Sequence, residues 1–280
     1  MNEAADLKRT SNRVERLILG CGRINGASEF KQSAKLIETA LKLGIRSFDT
    51  APSYGEGESE DVLGAVLSGI EGVAITTKIG IPRPAARRAS LLKSIYRHIG
   101  RPILAKVPAL KAQALRLAAT RDAGPYESPP KRQLLSSLVL MELEQSLRRL
   151  RRAFIDKYLI HEPTQFCLDQ NTSDIFHELI SQGMVGACGL AYGDCPETIP
   201  SFGSVIQVRY DEYSPSLSHA QKELIFHGVL RHGLRHRTLP SSDGGAGHHI
   251  SRVLESRPGS KIIFSVSSVR QIKEIMADLS

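Results

Sequence analysis

Residues 44–78 read GIRSFDTAPSYGEGESEDVLGAVLSGIEGVAITTK, and in this stretch two short apolar runs each end in a reactive polar residue. Asp49 closes the first run, Tyr54 follows five residues later, and Lys78 closes the second. Short apolar runs bounded by glycine read as strands, and the periodic segment Ser59–Ser68 between them reads as a helix. A carboxylate, a phenol and an amine at the ends of neighbouring strands are the makings of a proton-transfer site. The amine lowers the phenol's pKa and the carboxylate holds the amine.

Working outward, the same strand–helix alternation extends through most of the 280 residues. Arg16–Leu19 reads as a strand stopped by a glycine turn, and Glu29–Leu43 as an amphipathic helix ended by Gly44. After Val73–Thr77 the pattern breaks. Residues from about 80 to 133 are rich in Pro, Arg and Ala, with one candidate helix at Leu104–Ala119, and so long an excursion is either a functional loop or plain surface. Periodicity resumes with a helix at Leu134–Arg151, a strand at Phe154–Ile160 that ends at His161, a helix at Thr172–Gln182 and a strand at Val185–Leu190. A short helix around Pro196–Pro200, the strand Val205–Arg209, a helix near Ser218–Leu224 and a strand at Ile225–Leu230 follow. The helix Ile250–Arg257, the strand Ile262–Val266 and the helix Val269–Leu279 close the chain.

Eight strands alternating with eight helical segments predict a single-domain α/β (β/α)8 TIM barrel over residues 1–280, with a long insertion after the third strand. A doubly wound open sheet is the alternative, but GCGRINGA after the first strand lacks the GxGxxG spacing of a dinucleotide-binding turn. In a barrel, chemistry gathers at the C-terminal strand ends, which is where Asp49, Lys78 and His161 fall.

The composition narrows the function classes. The net charge is +8, which favours anionic small molecules and raises the question of nucleic acid, yet the basic runs are dispersed and lack interleaved aromatics. No nucleic-acid or membrane partner is expected, since no run approaches the length of a membrane span. Four cysteines, Cys21, Cys167, Cys188 and Cys195, form no CxxC pair. They read as reduced thiols of a cytoplasmic protein, with no metal site. His248 and His249, in a glycine- and serine-rich stretch at residues 238–249, read as solvated loop because no third ligand accompanies them.

Taken singly, Asp49 reads as a turn cap, Tyr54 as a loop aromatic, Lys78 as a strand-end charge and His161 as a surface imidazole. The barrel places all four on one face. FDTAPSYGEGESEDVLGAVL resembles the aldo-keto reductase signature, TTK at Thr76–Lys78 resembles the strand that ends in that family's lysine, and SLRRLRRAFIDKYLIHEP resembles its helix, strand and histidine. GACGLAYGD, VIQVRYDEYSP and KIIFSVSSVRQIKEIM are similar to its later strands and last helix. The resemblance implies a catalytic tetrad of Asp49, Tyr54, Lys78 and His161 and an oxidoreductase using NADP, with NAD as the alternative, on a small-molecule carbonyl substrate. Tyr54 is then the proton donor, favoured as phenolate by Lys78, and His161 orients the carbonyl.

Two regions depart from the family pattern. Where the family places Ser-Asn against the nicotinamide carboxamide, this chain has Ala191 and Tyr192, while the matching glutamine, Gln207, is kept. His227 stands nearest the position of the family's stacking aromatic. At the last helix, Ser267 falls where a basic residue often meets the 2′-phosphate, with Ser268, Arg270 and Lys273 close by, a helix start suited to phosphate. The altered grip also suits a different class of protein, a nucleotide-binding regulatory or interaction subunit with this fold and little turnover.

Overall fold

The computed structural model describes residues 12–26, 29–84, 134, 136–164, 167–211, 222–230 and 245–279. Eight parallel strands close into a barrel in sequence order: β1 (Leu17–Gly20), β2 (Ser47–Asp49), β3 (Ala74–Ile79), β4 (Ile155–His161), β5 (Val185–Ala191), β6 (Val205–Arg209), β7 (Glu223–His227) and β8 (Lys261–Phe264). Six α-helices are described: α1 (Phe30–Lys42), α2 (Ser59–Leu67), α3 (Ser136–Leu150), α4 (Gln170–Ser181), α5 (Ala246–Ser256) and α6 (Val269–Leu279). The expected barrel is therefore the observed one.

The helices form where apolar residues recur every three or four positions. On α1 the buried positions are Ser33, Ala34, Leu36, Ile37 and Ala40, one stripe facing the strands. Gly44 ends that helix with φ 88°, a left-handed residue that a side chain resists. The start of α4 is fixed by Asp169, whose Oδ1 accepts from the Thr172 N–H at 2.8 Å. On the outer face of the strands, Phe48, Tyr158, Ile160, Leu190, Ile206 and Phe226 are buried beneath the helical layer and its connections.

Side chains alternate along a strand, so every second residue faces the barrel interior. At the N-terminal end that interior is charged: Glu223 Oε1 lies 2.8 Å from Lys261 Nζ and 3.4 Å from Lys157 Nζ. Ile18, Leu159, Val205, Ile225 and Ile263 pack together in the middle. Continuing the alternation, β3, β4, β6 and β7 bring Lys78, His161, Gln207 and His227 inward nearer the C-terminal end, and Asp49 and Ala191 close β2 and β5.

Several expected elements shift. No helix forms at Pro196–Pro200, because prolines at both ends leave too few residues for a turn. β7 starts at Glu223, ahead of the expected Ile225, and ends at His227. Its first residue is a carboxylate engaged inside the barrel, so its polarity hid the strand start. The expected helix near Ser218–Leu224 is displaced at its end by β7, and its first four residues lie outside the described chain. α5 begins at Ala246 rather than Ile250, which makes His248 and His249 helical, and His249 is buried. The expected helix at Leu104–Ala119 lies outside the described residues, as do residues 85–133 of the insertion.

Candidate active site

Three of the four candidate catalytic residues stand on strands, and the fourth on a turn that a glycine makes possible. Tyr54 begins the turn Tyr54–Gly57, within which Gly55 and Glu56 are left-handed, at φ 58° and 59°. A Cβ on Gly55 would come within 1.8 Å of the Ile24 carbonyl oxygen, so the loop after β1 and the turn can close together only over a glycine. Hydroxyls tie the turn's far side to the barrel. Ser59 donates to the Cys21 carbonyl at 3.0 Å, and its Oγ lies 2.9 Å from Thr50 Oγ1.

The centre of the site is a buried ion pair. Lys78 Nζ donates to Asp49 Oδ1 at 2.7 Å and to the Thr50 carbonyl at 2.9 Å, with both charged side chains almost wholly shielded from solvent. The same nitrogen lies 4.5 Å from the centroid of the Tyr54 ring. His161 meets that ring edge-on, centroid to centroid 5.7 Å at 82°. Asp49, Tyr54, Lys78 and His161 are thus brought into one contact group.

Electrostatics set the charge states. Burial opposes the charge on Lys78, but Asp49, Tyr54 and its hydrogen bonds to both outweigh it and hold the amine above its ordinary value. His161 is pushed down to about 3, first by burial and then by Lys78 and His227, so its imidazole is neutral. Among the described residues its buried Nδ1 has no hydrogen-bond partner, and neither does Asp49 Oδ2. Cys21, also buried here, has its thiol pushed upward by burial and by Asp49, with Lys78 opposing, which leaves it a neutral thiol rather than a nucleophile.

The other candidates form a second group across the barrel mouth. Ala191, the last residue of β5, is the register partner of Gln207 in the middle of β6. Gln207 is buried, and its Oε1 has no hydrogen-bond partner among the described residues. His227 Nε2 lies 2.8 Å from the Tyr192 carbonyl oxygen. A carbonyl only accepts, so Nε2 carries the proton and Nδ1 the lone pair when the ring is neutral. Burial lowers the His227 pKa, the bond to Tyr192 and the charge of Asp49 raise it, and Lys78 and Arg209 lower it, for a net fall.

Ser267, Ser268, Arg270 and Lys273 sit apart, at the start of α6. Ser267 donates from both its N–H (2.8 Å) and its Oγ (3.1 Å) to Gln271 Oε1, and Ser268 Oγ accepts from the Gln271 N–H at 3.3 Å. Arg270 is paired with Glu274 at 2.6 Å, and Lys273 is exposed. Sequence reasoning passed over Gln271, although Ser268-x-x-Gln271 is the capping-box pattern legible in the sequence; in the fold its amide oxygen accepts from Ser267 instead. It also missed the Thr50 carbonyl as a Lys78 partner, which only the fold reveals.

A closed eight-stranded barrel with a lysine–aspartate pair beneath a tyrosine and a neutral histidine defines the class. The aldo/keto reductase family model matches residues 16–234, and the chain belongs to that family. Aldo-keto reductase YhdN of Bacillus subtilis is 24% identical over 173 residues, a match that spans 61% of this chain and 40% of that relative's length. Among solved structures, the holo form of aldo-keto reductase AKR11C1 from Bacillus halodurans is 17% identical, with a TM-score of 0.67 over 95% of this chain and 86% of that one. An aldo-keto reductase from Klebsiella pneumoniae, solved in complex with NADPH, has a TM-score of 0.60 at 16% identity, over 94% of this chain and 85% of that one. These likenesses bear on the fold. Among the described residues no helix is long and apolar enough to cross a membrane.

Proposed function

We propose that this protein is an NADP(H)-dependent oxidoreductase that reduces an aldehyde or ketone to the alcohol, or runs the reverse. The observation that carries the reading is the Lys78 ammonium, held by Asp49 and the Thr50 carbonyl and set against Tyr54. A phenol, ordinarily titrating at about 10, gives up its proton near neutral pH only if the anion left behind is stabilised. A fixed cation beside it does that, and the buried pair keeps the cation from turning away to solvent. Tyr54 then protonates the substrate oxygen, and the neutral His161 donates an N–H to the same oxygen without adding a charge.

The residues present suit the cofactor. Gln207 Oε1 is a buried acceptor with no protein partner, which suits an amide N–H such as that of a carboxamide. Gln207, Ala191, Tyr192 and His227 would hold the nicotinamide end, and Ser267, Ser268, Arg270 and Lys273 the phosphate end, which favours NADP over NAD. When bound, NADPH supplies the hydride.

The test is NADPH consumption with a panel of aldehydes and ketones, alongside NADPH binding followed by fluorescence. Tyr54→Phe is expected to lower turnover by about 10²–10⁴-fold while binding persists. Wild-type turnover by that variant sinks the assignment. Binding by the wild type without turnover of any carbonyl supports the regulatory-subunit reading instead.

A further inference from the structure

One charged side chain at the mouth is unused by this mechanism. Glu162 follows His161 directly, and its N–H extends the β4–β5 ladder by donating to the Ala191 carbonyl at 2.8 Å. Its backbone is left-handed, φ 51°, and it precedes Pro163, which restricts it further. A non-glycine residue in that region stores backbone strain, and such residues gather at ligand-handling sites. The carboxylate lies over Gly193, where a Cβ would come within 2.6 Å of Glu162 Oε1. Glu162 is only partly exposed, and no ion pair or side-chain hydrogen bond engages it among the described residues.

The charges of the described residues around it leave it uncompensated. Lys78 and Asp49 neutralise each other. Arg209, on the same rim, is paired with Asp194 at 2.6 Å. His161 is neutral, and the Tyr192 phenol is pushed up to about 12 by burial and then by Glu162 itself. Among the described residues, the β4–β6 side of the mouth therefore carries one unpaired negative charge beside His161.

We propose that Glu162 is a specificity-determining residue that selects carbonyl substrates bearing a positive charge and rejects those bearing a carboxylate. The proposal rests on the reductase reading and deepens it. Burying an unpaired carboxylate against a substrate anion costs Coulomb energy in a partly desolvated mouth, while a substrate cation repays the desolvation.

The experiment measures kcat/KM of wild type, Glu162→Gln and Glu162→Asp for three aldehydes of similar shape: para-carboxybenzaldehyde, para-(trimethylammonio)benzaldehyde and benzaldehyde as the neutral reference. In the wild type the cationic aldehyde is expected to be preferred over the anionic one. Glu162→Gln is expected to reduce that cation-to-anion ratio by about tenfold, chiefly through KM. Glu162→Asp, which keeps the charge and tolerates the left-handed backbone, keeps most of the ratio. Turnover with a ratio that Glu162→Gln leaves untouched overturns the proposal alone, and so does a ratio lost equally in both variants, which marks packing rather than charge. Absence of NADPH consumption with all three aldehydes overturns the reductase reading and this proposal with it.

Discussion

The first four strands and the last four build the barrel mouth in different ways. On the β1–β4 side, Asp49, Lys78 and Tyr54 bind one another, and hydroxyls of Thr50 and Ser59 lock the turn that presents the tyrosine. On the β5–β8 side, Ala191 offers no polar group, Gln207 leaves an oxygen without a protein partner, and His227 spends a nitrogen on a backbone carbonyl. The outer layer differs too: α4 follows β4, whereas residues 192–204 after β5 contain no helix. The first side pairs its charges internally, with Asp49 Oδ2 and His161 Nδ1 left without a hydrogen-bond partner among the described residues. The second carries buried polarity that a ligand would satisfy.

Breaking the ion-paired side gives the largest effect. Lys78→Met leaves the Asp49 carboxylate buried without its cation, a loss of about 3–5 kcal/mol in denaturant unfolding, and turnover disappears with it. Replacing both members, Lys78→Met with Asp49→Leu, regains most of that stability but none of the turnover, because a buried pair exchanged for apolar groups is often neutral. A double variant as unstable as the single one refutes the account of the pair as a unit retained for chemistry.

The same side carries a pH signature. The native His161 is held neutral down to about 3, while the unfolded chain takes up a proton there from about 6.5 downward. In that window the unfolded state binds more protons, so stability falls as the pH falls, by about 1.4 kcal/mol per pH unit from this group, and is fully present above pH 6.5. His161→Asn is expected to flatten the slope of unfolding free energy between those limits. An unchanged slope places the imidazole in a more polar setting than the structure gives it.

How far each side was legible in the sequence follows from the same contrast. Asp49, Lys78 and His161 each terminate or nearly terminate an apolar run, a local signal that needs only the alternation of strands and helices to become a shared face. The β7 boundary failed because Glu223 is polar for a tertiary reason, its ion pairs with Lys157 and Lys261 inside the barrel. The link between His227 and Tyr192 spans 35 residues and two strands, and no periodicity encodes it. Glu162 appeared in sequence only as the residue after His161, since its backbone strain and its lack of a partner among the described residues exist only in the fold.

On the open side, Gln207 tests whether unsatisfied polarity is kept for a ligand. A buried acceptor with no partner costs about 1–3 kcal/mol. Gln207→Met keeps the volume and removes the oxygen, so the ligand-free protein is expected to gain about 1 kcal/mol in stability while NADPH binds about tenfold more weakly. Lower stability with unchanged NADPH affinity indicates that the amide serves the barrel instead.

The smallest effect is expected farthest from the mouth on that same side. Lys222, just ahead of β7, donates from Nζ to the carbonyls of Ser201, Phe202 and Gly203, closing the connection between β5 and β6 where no helix forms. Burial lowers its pKa, with Cys188 opposing, yet solvent still reaches the ammonium. Its three bonds are therefore discounted from the usual worth of charged hydrogen bonds, and Lys222→Met is expected to cost about 1 kcal/mol in unfolding free energy. Turnover and the cation-to-anion substrate ratio do not move, because the ammonium acts on the connection ahead of β6, on the side away from the mouth. A Lys222 variant that alters the substrate ratio as well as stability joins the two ends of the β5–β7 side into one coupled unit, and the contrast between the two sides of the barrel then extends to their full height.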